Sequence, residues 1–106
     1  MSRLVLHPEA RIEAFNAGDY YEECCPGLGR AFTDSLEASF ARIVERPQSF
    51  ALDELTGMRK CVMPRFPYLV YFIERNETLW IVAVAHASRK PDYWYGRMND
   101  PPCPVK

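Results

Sequence analysis

Two continuously apolar runs, Tyr68-Leu-Val-Tyr-Phe-Ile73 and Leu79-Trp-Ile-Val-Ala-Val-Ala85, lie only five residues apart across Glu74–Thr78. Rich in β-branched and aromatic residues, and too short for core helices, they read as strands buried on both faces. A link that short joins antiparallel neighbours, since a parallel return needs a crossover of a dozen residues or more. These two strands therefore form the centre of a sheet. Arg59–Met63 alternates polar and apolar residues, and Pro64–Pro67 connects it to the first run, which extends the meander to three strands.

The first half carries helical periodicity instead. After a short apolar run, Arg3–Leu6, expected as an edge or opening strand, His7-Pro8-Glu9 reads as a helix start. Proline suits the first helical position, and Glu9 and Glu13 sit near the positive helix end. Ala10, Ala14, Ala17 and Tyr21 recur at helical spacing, with Ile12 and Phe15 beside the stripe, until Pro26-Gly27 breaks the chain. A second helix, from about Leu28 to Arg46, has the stripe Leu28, Phe32, Leu36, Phe40 and Ile43, and Pro47 ends it. Gln48–Gly57 reads as a loop, and Asp92–Arg97 as a short terminal helix. The expectation is an α+β fold of order β-α-α-β-β-β. A helical hairpin covers one face of a mainly antiparallel sheet, and the other face is left to the C-terminal segment or a partner. Residues 1–97 make a single domain, and Pro101-Pro102-Cys103-Pro104 marks 98–106 as a tail.

Charge divides the chain. Met1–Thr56 has 5 Lys/Arg against 10 Asp/Glu, a balance of −5, while Gly57–Arg97 has 7 against 3, a balance of +4. The basic half hints at an anionic partner. No secretory signal and no run of about 20 apolar residues is visible, which points to a soluble, cytoplasmic protein without membrane contact. Cys24, Cys25, Cys61 and Cys103 form no C-x-x-C pair and no zinc spacing, so reduced, structural thiols are expected. With no phosphate-binding glycine loop, dinucleotide fingerprint, G-x-S-x-G or H-E-x-x-H, neither a cofactor nor a metal is expected.

Candidate chemistry gathers in Val84–Arg97, at the exit of the last strand. Strict alternation would place His86 on the face of Trp80, Val82 and Val84. An imidazole beside Arg89 and Lys90 could move protons and stabilise a charged phosphorane, cleaving RNA without a metal. The simpler reading of His86 alone is a hydrogen-bonded strand end. Arg59 and Arg65 are expected near the same strand end. Trp94 reads as an anchor, and Tyr93 as either an anchor or a base-stacking ring.

Several segments resemble one family, the RelE/ParE superfamily of type II toxin–antitoxin toxins, which includes plasmid stabilisation proteins. His7-Pro8-Glu9-Ala10, Gly27-Leu28-Gly29 with Phe32, and Arg46-Pro47 resemble its helical half. Arg59, Phe66-Pro67-Tyr68-Leu-Val-Tyr71, Val82–His86, Arg89–Trp94 and Arg97 resemble its sheet half. The resemblance implies a growth-arresting toxin neutralised by a small antitoxin, with a possible homodimer. It implies two alternative targets. One is messenger RNA cut on the ribosome by a metal-independent endoribonuclease, with His86, Arg89 and Tyr93 as catalytic candidates and Arg59, Arg65, Lys90 and Arg97 on phosphate or RNA. The other is DNA gyrase, inhibited without any catalytic site. An inactive relative that acts only through protein partners is the blander alternative. The His86–Trp94 pattern looks closer to the plasmid-stabilisation, ParE-like branch, and the chain departs from the most active RNase pattern in being less basic overall.

Overall fold

The computed structural model describes residues 3–54, 56–89 and 97. In chain order these form β1 (Arg3–Leu6), α1 (Pro8–Cys24), α2 (Leu28–Glu45), a 3-10 turn (Pro47–Ser49), β2 (Ala51–Asp53), β3 (Met58–Val62), β4 (Tyr68–Arg75) and β5 (Thr78–His86). The five strands make one sheet in the order β1-β5-β4-β3-β2. The meander β2-β3-β4-β5 is antiparallel, and β1 adds to β5 in parallel, with Arg3 opposite Thr78 and Leu6 opposite Ile81. The fold is thus α+β, with two helices on a mixed sheet.

The start of α1 is fixed locally. His7 occupies the cap, and its Nδ1 accepts the Glu9 N–H at 3.0 Å, satisfying one of the donors that a helix start leaves open. Ala10 and Ala17 are buried and Ala14 and Tyr21 pack against the core, whereas Phe15 and Ile12 are 69% and 50% exposed. α2 buries Phe32, Leu36 and Ile43. Its cap residue Gly27, at φ 91°, has no side chain to offer. The cap comes instead from α1, where Glu22 accepts the N–H groups of Gly27 at 3.1 Å and Gly29 at 3.0 Å. A carboxylate there also faces the positive end of the helix. The same junction needs a glycine, because a Cβ on Gly29 would lie 2.7 Å from the Gly18 carbonyl oxygen.

The main core lies between the helices and one sheet face. Phe32, Ile43, Cys61, Val70, Phe72, Leu79, Ile81 and Val84 form one cluster. Tyr21, Phe32, Phe66 and Tyr68 pack edge-to-face or stacked, with centroids 4.9–5.4 Å apart. The opposite face carries a second buried cluster of Met58, Ile73, Trp80, Val82 and Ala83. Each large side chain so buried contributes about 1.5–3 kcal/mol.

Two expectations change here. The stretch Gln48–Gly57 is not all loop, because Ala51–Asp53 pairs with Met58–Lys60 as the outer strand. All three of its residues are exposed, so no apolar alternation announces it. Strict alternation along β5 also fails. Tyr71 pairs with Ala83 but Phe72 with Ile81, so Val82 is an extra residue, a β-bulge. The extra residue reverses the faces beyond it. Val84 joins the helix-side cluster, while Trp80, Val82 and Ala83 share the other. His86, opposite Tyr68, therefore lies on the helix side with Val84 and not with Trp80 and Val82. The expected terminal helix Asp92–Arg97 lies outside the described residues except for Arg97.

Candidate functional site at the end of the central strands

The helix-side end of β4 and β5 is built by three segments. Tyr68 and His86 are cross-strand partners, their rings 5.3 Å apart and edge-on. Burial pushes the Tyr68 phenol up from its ordinary value, with Tyr21 adding to the shift, so at neutral pH it is a hydrogen-bonding group and not a base. Beyond His86 the chain turns sharply, with the Arg89 N–H donating to the His86 carbonyl at 3.0 Å. The Ser88 N–H donates to His86 Nδ1 at 3.1 Å, and Ser88 Oγ lies 2.8 Å from the same nitrogen. An Nδ1 that accepts a backbone N–H holds no proton, which leaves the neutral ring's proton on Nε2. A pocket of about 220 Å³ opens here between Glu13, Asn16, Tyr20, Tyr68, His86 and Arg89.

The loop Pro64–Pro67 is pinned beside this end. Ser35 Oγ donates to the Pro64 carbonyl at 2.9 Å, and the Ala87 N–H donates to the Pro67 carbonyl at 2.8 Å. Phe66 is buried in the aromatic cluster. Between these tethers Arg65 is held at φ 74°, a left-handed conformation that costs a residue with a Cβ roughly 1–2 kcal/mol. The tethers maintain the strain, and the exposed Arg65 stands at the His86 end of the sheet.

The β5 bulge frees two backbone groups, and both are claimed. The Val84 N–H donates to Glu13 Oε1 at 3.0 Å, and Arg97 Nη1 donates to the Val82 carbonyl at 3.2 Å. Arg97 also forms a two-pronged pair with Glu13, at 3.1 and 3.0 Å, with both side chains about 15% exposed. A forked arginine–carboxylate pair sheltered from water is stronger than an ordinary surface ion pair.

A family model for the ParE toxin of the type II toxin–antitoxin system parDE matches residues 4–91. The chain belongs to this toxin family. Its fold is also similar to a solved chain from the chromosomal ParDE TA system of P. aeruginosa. That chain gives a TM-score of 0.63 at 15% identity over 83% of this chain and 98% of the other, a likeness of fold. Among curated proteins none matches.

Within this ParE-family domain the expected site residues separate. His86, Arg65 and Arg89 share one sheet end. Arg59 does not, because it stands near the start of β3, which only reaches that end at Val62. It pairs with Phe72, which pairs with Ile81, five residues short of His86 or roughly 15 Å along the strand. There its Nη1 donates to the carbonyl of Phe50 at 2.8 Å and approaches that of Gln48 at 3.5 Å. The position expected for Arg59, near the end of the last strand, is corrected accordingly. Arg97 holds Glu13 and the bulge. Lys90, Tyr93 and Trp94 lie outside the described residues. Sequence reasoning passed over Tyr68, Ser88 and Glu13. Glu13 carried one faint signal, an acid flanking the alanine stripe of α1 where a surface helix would place its solvated side. Among the described residues no group of three or more His, Cys, Asp or Glu side chains could hold a metal ion, and no helix is long and apolar enough to cross a membrane.

Proposed function

We propose that this chain is the toxin of a type II module whose activity is inhibition of DNA gyrase through protein contact, and that a cognate antitoxin neutralises it in the cytoplasm. Family membership supports the toxin role. The observation that carries the choice of target is the dispersal of the guanidiniums. A phosphate-cleaving site needs its cations within contact of one reacting group. Arg59 is spent on backbone carbonyls at the far end of the sheet, and Arg97 on Glu13. Inhibition by binding needs no such convergence. The test is direct. Purified protein should inhibit supercoiling by gyrase in vitro, and its induction should trigger filamentation and an SOS response with intact messenger RNA. Loss of inhibition on adding a cognate antitoxin, sought in the neighbouring reading frame, completes the assay.

A second reading, ribosome-dependent RNA cleavage, draws on the His86–Arg89–Tyr68 pocket, where the oriented imidazole could serve as an acid or base. Cuts in messenger RNA on translating ribosomes, abolished by His86→Ala, would establish that reading and exclude the first.

A further inference from the structure

Three arginines that the sequence scatters meet at the opposite corner, around residues 46–50. The Arg42 guanidinium carbon lies over the Phe50 ring, 5.5 Å from its centroid. The Arg59 guanidinium is fixed on the Phe50 carbonyl from the strand side. Arg46 follows Arg42 by one helical turn, and its own carbonyl accepts the Ser49 hydroxyl at 2.8 Å. Arg42, Glu45, Arg46, Ser49 and Phe50 line a pocket of about 320 Å³. Among the described residues none of the three arginines is in an ion pair, although Arg42 and Arg46 lie in the half of the chain that has twice as many acids as bases.

The arrangement has a cost within the free protein, since like charges four residues apart on a helix repel. The negative end of α2, equivalent to about half a charge, and the Glu45 carboxylate offset only part of three positive charges. The surplus calls for an anion from outside. Stacking on Phe50 and bonding to its carbonyl hold two of the forks in place, which lowers the ordering cost of capturing one.

We propose that this corner is a docking site for an acidic segment of a partner protein, with a carboxylate seated between Arg42 and Arg46 and Arg59 alongside. The surroundings favour a peptide over a nucleic acid. The cationic spot is one pocket wide, too short to follow the regular charges of an extended phosphate chain. The neighbouring outer strand offers Leu52, 46% exposed, as an apolar contact for the same peptide. The site lies away from the His86 pocket and does not depend on which target the toxin inhibits.

The test uses the full chain and a hexaglutamate peptide at low salt, followed by amide NMR and calorimetry. Binding should shift the signals of residues 42–50 and weaken roughly tenfold or more when Arg42→Gln and Arg46→Gln are combined. Arg30→Gln, which removes the same charge from the other end of α2 where Arg30 pairs with Asp34, should leave binding nearly unchanged. Arg46→Gln alone, at an exposed position, serves if the double variant is not folded. Absence of binding, equal loss in Arg30→Gln, or a hexauridylate RNA that binds this corner more tightly than the peptide would each overturn the proposal.

Discussion

Two glycines at the crossing of α1 and α2 should respond oppositely to the same substitution. In a helix, Gly→Ala gains up to about 1 kcal/mol from reduced backbone freedom in the unfolded chain. At Gly18 nothing opposes that gain, because the new Cβ would meet only Thr33 Oγ1 at 3.8 Å, an ordinary contact. At Gly29 the Cβ would lie 2.7 Å from the Gly18 carbonyl oxygen and 2.9 Å from Glu22 Cβ. Neither atom is the loose end of a side chain, so the helices must separate. Forcing a group into a packed junction costs about 1–3 kcal/mol. Separation also stretches the Glu22 cap, worth about 1 kcal/mol. The net expectation is a gain of up to about 1 kcal/mol for Gly18→Ala and a loss of about 1–3 kcal/mol for Gly29→Ala. In thermal unfolding a domain of this size moves by roughly 4–8 °C per kcal/mol, so the two variants should differ by about 4 °C or more. A Gly29→Ala protein as stable as the unmodified chain, or a Gly18→Ala protein destabilised to the same degree, would refute the close crossing.

Other outcomes follow from single features. The β4–β5 turn holds Asn76 and Glu77 at φ 50° and 64°, so Glu77→Gly should stabilise by about 0.5–1 kcal/mol in urea denaturation. Glu22→Gln keeps the shape but loses the charge facing α2 and should cost about 0.3–1 kcal/mol, with the difference shrinking at high salt. Burial raises the Tyr68 and Tyr71 phenols above their ordinary 10.0. The unfolded state therefore releases its protons first. The contribution of these phenols to stability should be full below about pH 10 and be lost as pH rises through the folded values, and Tyr68→Phe should lessen that alkaline fall. In a Cys103→Ser background, Cys24 and Cys25 are exposed and should react at once with a thiol reagent. Cys61, buried and with its thiol pushed up by desolvation, should wait for unfolding.

The sequence made some of this visible and hid the rest for physical reasons. The helices were legible because Phe32, Leu36 and Ile43 repeat at the helical period and Pro8, Pro26-Gly27 and Pro47 punctuate it. The central strands were legible because burial on both faces leaves an unbroken apolar run. That same run concealed the bulge, since Val82-Ala-Val-Ala85 has no alternation by which an extra residue could be noticed. The strand Ala51–Asp53 left no pattern because its pairing rests on backbone bonds alone. The candidate site was half legible. Chain neighbours of His86 could be named, but the partners brought in by topology could not. Glu13 lies 73 residues before His86 in the chain, and the Arg42–Arg46–Arg59 corner requires knowing that β2 and the turn before it fold back onto the end of α2.

The pairing of β1 with β5 ties the beginning of the chain to a strand made much later. Among the described residues Arg3–Leu6 has its one ladder partner in Thr78–Ile81, so the sheet cannot be completed while the chain still emerges from the ribosome with β5 inside the exit tunnel. The helical hairpin, held by local contacts, can form early, but its apolar floor arrives last. Late closure of this kind slows folding. For a toxin of this family it sets a timetable, in which no partial product has the finished sheet and a cognate antitoxin has an interval in which to bind before it closes.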